Sequence, residues 1–93
     1  MQDIERVSTL ISSYCDTISL MHGCLNDQEW GIWIKCAIQL HILQCSLTRT
    51  EIHKILVSTG FRMDVAERLA FAYQIVRQSL VLYRALEELP GRV

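Results

Sequence analysis

The side chains best suited to metal or thiol chemistry in this chain are its four cysteines and three histidines. His41 and Cys45 stand four residues apart, a spacing that shares one helix face, and His22 and Cys24 flank a predicted turn. Either pair offers two ligands of the kind zinc takes, and neither is completed by a CxxC pair. The opening residues have no basic region followed by an unbroken apolar run, so no secretory signal places the four thiols where disulfides form. The expectation is reduced cysteines, buried or partly buried, with no metal and no cofactor. Catalytic signatures are equally sparse: no Gly-rich phosphate loop, HExxH or GxSxG occurs. A domain this small has little room for a cleft of about 300 Å³ or more beside its core. The chain is therefore expected not to be an enzyme and to take no small-molecule substrate.

The residues from Leu47 to Leu69 hold a short apolar-periodic stretch, Gly60, a buried-type Phe61 and a second helical pattern. This arrangement resembles a helix-turn-helix, in which the start of the second helix enters the major groove. Arg49, His53, Lys54, Arg62 and Arg68 are the residues that would carry such binding. Asp64 and Glu67 dilute that surface with negative charge, and Leu56 stands where a tight helix crossing favours a small residue. A glycine-capped pair of helices accounts for the same pattern, and DNA-binding regulation by a dimer is kept as the alternative function.

The elements that must position these groups are helical throughout. Ile4, Val7, Ile11, Tyr14, Ile18 and Met21 recur by threes and fours and predict a first helix over 3–22, closed by Gly23. Asn26 with Glu29, and Thr48 with Glu51, have capping-box spacing and predict helix starts at 26 and 49. The second helix, 26–45, is apolar around most of its girth, with a narrow stripe of Gln28, Lys35 and Gln39, and is expected to be central. A third runs over 49–59 to Gly60, and a fourth over 63–89, where Pro90-Gly91 stops it. The predicted fold is all-α: one domain over 1–93, four helices in an orthogonal or bundle-like arrangement, with a long C-terminal helix.

On a helical wheel Val65, Ala72, Val76, Leu80 and Tyr83 fall within about 60° of Leu69 and predict the core face of the fourth helix. Phe71, Ile75, Leu82, Leu86 and Leu89 form a second apolar stripe at roughly 200–260° from Leu69. Three short helices from the remainder of a 93-residue chain can cover one face of a helix this long and hardly both. The second stripe is thus expected to bind a helical protein partner or another copy of the chain. A composition of 51% hydrophobic and 20% charged residues excludes a disordered tail, and a formal charge of −1 gives no global attraction to nucleic acid or anionic membrane. The longest weakly charged run, 31–48, is interrupted by Lys35, Gln39, His41 and Gln44 and is too short to span a bilayer. Together these readings predict a cytoplasmic, non-catalytic interaction module, a small regulatory subunit or a chaperone-like helical protein.

Overall fold

The computed structural model describes residues 4–16, 18 and 24–88. Four helices follow in order: α1 (Ile4–Cys15), α2 (Asp27–Ile42), α3 (Arg49–Thr59) and α4 (Met63–Glu87). Both expected capping boxes are present. The Glu29 amide donates to Asn26 Oδ1 at 2.8 Å while the Asn26 amide donates to Glu29 Oε1 at 3.0 Å. Thr48 and Glu51 exchange the same two bonds at 3.3 and 2.9 Å, so the first orphan amides of α2 and α3 are satisfied by sequence-local side chains.

The helix ends depart further from expectation than the starts. α1 stops at Cys15 and does not continue through Ile18, whose amide instead donates to the Cys15 carbonyl at 3.0 Å in a tight turn. Ser12, Ser13 and Asp16 hydrogen-bond backbone readily outside helices, which weakens the predicted extension. Ile18 is buried all the same, so its apolar spacing reported burial and not helix. The predicted Met21 and Gly23 closure lies outside the described residues.

α2 ends three residues early because Gln44 takes φ 60°. The Gln44 amide then donates to the His41 carbonyl and the Cys45 amide to the Leu40 carbonyl, each at 2.9 Å. That is a Schellman end built without glycine. α3 closes with the same pair of bonds, Gly60 to Val57 and Phe61 to Leu56, around Gly60 at φ 119°. α4 begins at Arg62 with no side-chain cap, and Glu88 ends it; Leu89 lies outside the described residues.

The helices pack in a ring: α1 on α2, α2 on α4, α4 on α3, and α3 back on α1. Each has two neighbours; α4 and α2 pack most extensively, in line with the central place expected of them, and the α3–α1 contact is the slightest. The core contains Val7, Ile11 and Cys15 from α1, Trp33, Cys36 and Leu40 from α2, Ile52 and Leu56 from α3, and Leu69 and Tyr73 from α4. Two polar tethers cross it. Trp33 Nε1 donates to the Leu69 carbonyl at 2.9 Å, joining α2 to α4. The Tyr73 hydroxyl donates to the Leu47 carbonyl at 2.9 Å, and Arg77 donates to the same oxygen at 3.0 Å, tying the α2–α3 connection to α4.

The buried side of α4 differs from the predicted stripe. Val65 and Leu69 are buried as expected, but Ala66, Ala70 and Tyr73 complete the face, Ala72 and Val76 are only partly buried, and Tyr83 is 62% exposed. The ring is closed at the level of residues 65–73, and α4 outruns it. With a radius of gyration of 14.2 Å and extents of 50 × 32 × 19 Å, the molecule is longer than the roughly 12 Å radius of a compact chain of this size implies.

Candidate interaction surface

Past Arg77, the described neighbour of α4 is the start of α3, set across an open groove. Every described residue from Val81 to Glu88 is exposed, and between Gln78 and Leu86 there is one charged side chain, Arg84. Phe71, Ile75, Leu82 and Leu86 are exposed at 48, 44, 61 and 46%, all on the side of α4 turned away from the core. Val81 at 55% and Tyr83 at 62% flank Leu82 and widen the surface; neither belongs to the predicted binding stripe. An acid at 81 or 83 would have been expected had this segment faced only water, and that is the signal the stripe arithmetic passed over.

A groove of about 550 Å³ runs along this surface, between the start of α3 and the second half of α4. Thr48 and Arg49 form one wall, and Gln74, Gln78, Val81, Leu82 and Ala85 form the other. The Arg49 guanidinium lies 4.8 Å from the Phe71 ring centroid and also donates to Gln74 Oε1 at 3.3 Å. Phe71 is therefore partly roofed by a cation, while Ile75, Leu82 and Leu86 continue uncovered along the helix. A second groove of about 580 Å³, between α1 and the end of α2, is lined by the polar Glu5, Arg6, Thr9 and Ser13 and by the apolar Leu10, Leu40 and Leu43.

The residues singled out for nucleic acid do not assemble into a basic strip. Asp64 pairs with Arg62 at 3.2 Å and with Arg68 at 3.6 Å, so the start of α4 carries a carboxylate between its two cations. Arg49 and His53 border the α3–α4 cleft together with Glu67. Lys54 instead faces the α1 side, beside Ile4, Ser8 and Glu51.

The cysteines and histidines separate along similar lines. Cys15, Cys36 and Cys45 are buried, and Cys24 is exposed. Burial pushes the Cys15 thiol up to about 12; Cys36 rises to about 12 as well, from burial first and then from the neighbouring Cys15 and Cys45. Tyr73 is raised by burial and by its bond with Cys45, against a lowering influence of Arg77. These groups are proton-holding packing residues. Among the described residues no three His, Cys, Asp or Glu side chains converge as metal ligands, and His22 lies outside them.

α2 adds a feature that the sequence reading assigned to the interior. Ile34, Ile38 and Ile42 are exposed at 40, 36 and 63%, one turn apart from each other on the side away from Trp33 and Cys36. No helix among the described residues is long and apolar enough to cross a membrane. A scan against protein-family models and searches of curated proteins and of solved structures find no match for this chain.

Proposed function

We propose that this chain is a non-catalytic protein–protein interaction module, a small regulatory or chaperone-like subunit, that presents the outer face of α4 to a helical segment. The observation that carries this reading is the row of Phe71, Ile75, Leu82 and Leu86, left in water on a helix that projects beyond its own core. Fully burying one such side chain is worth about 1.5–3 kcal/mol, and an exposed row of this length is what binding surfaces contain and isolated monomers avoid. The adjoining groove adds apolar surface from Val81, Leu82 and Ala85, and Thr48, Arg49, Gln74 and Gln78 supply polar groups at its walls that can orient a docked helix.

The test is to follow the tagged chain through gel filtration of extract from the cells that make it, beside Leu82→Asp and Leu86→Asp. The reading expects a species larger than the 10.7 kDa single chain, reduced to that size in both variants with helical circular dichroism unchanged. A wild type that runs as a single chain in extract and when concentrated removes the basis for an interaction module.

A further inference from the structure

The spacing of the exposed residues on α4 says more about the occupant than its greasiness does. Phe71, Ile75, Leu82 and Leu86 are placed symmetrically about the level of Gln78 and Ser79. If two copies of α4 run antiparallel with a two-fold axis at that level, Phe71 of one faces Leu86 of the other and Ile75 faces Leu82. Gln78 of each copy then meets Ser79 of the other, one such polar pair on either side of the axis. We infer that the occupant of this face is a second copy of the chain, paired antiparallel along α4 about a two-fold axis at Gln78 and Ser79. The inference rests on the interaction reading and names its partner.

Three further features fit an isologous contact, in which one surface must complement itself. The four side chains of the row present about 400 Å² per protomer, and with the flanking Val81 and Tyr83 about 600 Å², so a pair buries about 800–1,200 Å², at or just below the lower edge of specific interfaces. No charge stands on the mating strip itself: Arg84, Glu87 and Glu88 lie off the Phe71–Leu86 row, so self-pairing opposes no like charges. An antiparallel pair also brings the end of each α4 to the level of the other protomer's Phe71. There Arg49, exposed above Phe71, shares a flank with the second copy's Glu88, which in one chain makes only an open pair with Arg84 at 3.6 Å.

The inference is tested on the pure full chain by sedimentation equilibrium and by directed disulfides in a Cys24→Ser background. The expected mass is twice 10.7 kDa, falling to one chain in Leu82→Asp and unchanged in Val57→Asp, which places the same charge on a partly exposed α3 site away from the strip. Mixed Ile75→Cys and Leu82→Cys protomers should oxidise to the heterodisulfide, with little homodisulfide from either alone. Homodisulfides of Leu82→Cys without the mixed species mean a parallel pair and overturn the inference. So does a pure wild-type monomer at several hundred micromolar whose larger complex in extract is still lost on Leu82→Asp; the interaction reading then stands with a foreign partner. A monomer in both settings ends both.

Discussion

Tyr73 shows how much of this molecule turns on single polar atoms. Its hydroxyl and Arg77 share the Leu47 carbonyl, and the hydroxyl also reaches Cys45 Sγ at 3.5 Å, so these side chains hold the α2–α3 connection against α4. Tyr73→Phe removes one of the two donors and leaves Arg77, so a loss of about 1 kcal/mol is expected by urea denaturation. Trp33→Phe removes the donor to Leu69 and opens a cavity in the core, and about 2–4 kcal/mol should go with it. The thiols give a second residue-level expectation. In the native protein Cys24 should react with a thiol reagent within minutes, while Cys15, Cys36 and Cys45 wait for unfolding. Cys15 and Cys36 bind their protons more tightly folded than unfolded, with values near 12 against an ordinary 9.0. Stability is therefore unaffected by them below pH 9 and falls as pH rises from 9 toward 12, which thermal melts across that range would record. Tyr73, buried and polar, was not legible beforehand: its periodic neighbours Ala72 and Val76 looked equally suitable, and nothing in the sequence says that Leu47 presents a carbonyl there.

At the scale of the element, helix starts were readable, and of the helix ends the one marked by a glycine, Gly60 after α3, was readable while the ends of α1 and α2 were not. Asn26 with Glu29 and Thr48 with Glu51 act within four residues, so local spacing suffices. The end of α2 depends on Gln44 adopting a left-handed backbone that glycine would take without strain. Gly31, by contrast, sits inside α2 with open space where a side chain would go. The two residues suit each other's places, and Gln44→Gly and Gly31→Ala should each stabilise the fold by about 0.5–1 kcal/mol, additively, in chemical denaturation. Asn26→Ala should cost about 1 kcal/mol by the same measurement. The first helix was overestimated because Ile18 keeps apolar period after the backbone has left the helix. On α4 the core face was misplaced by part of a turn, since Ala66 and Ala70 weigh little in any count of large apolar residues yet are the ones that allow close packing.

At the scale of the whole molecule, the all-α fold followed from a 3.6-residue period in every segment, and the ring order of the helices did not. Which faces meet depends on connections such as 43–48, whose path is set by Gln44, Tyr73 and Arg77 together. The outer row of α4 could be read as a surplus because four helices from 93 residues leave one long helix overhanging the ring. The matching exposure of Ile34, Ile38 and Ile42 went unread, since an almost wholly apolar helix suggests burial all round and α2 is buried on one side. An overhanging stretch with no tertiary packing is a marginal helix in water by itself, as nucleation is costly and propagation adds little per residue. Amide hydrogen exchange of Ser79–Leu86 therefore reports whether a protein surface covers the outer face of α4. A covered face gives these amides protection approaching that of Val65–Tyr73, lost in Leu82→Asp and on dilution while Val65–Tyr73 stays protected. Fast exchange of Ser79–Leu86 at every concentration, and equally in wild type and variant, would contradict it.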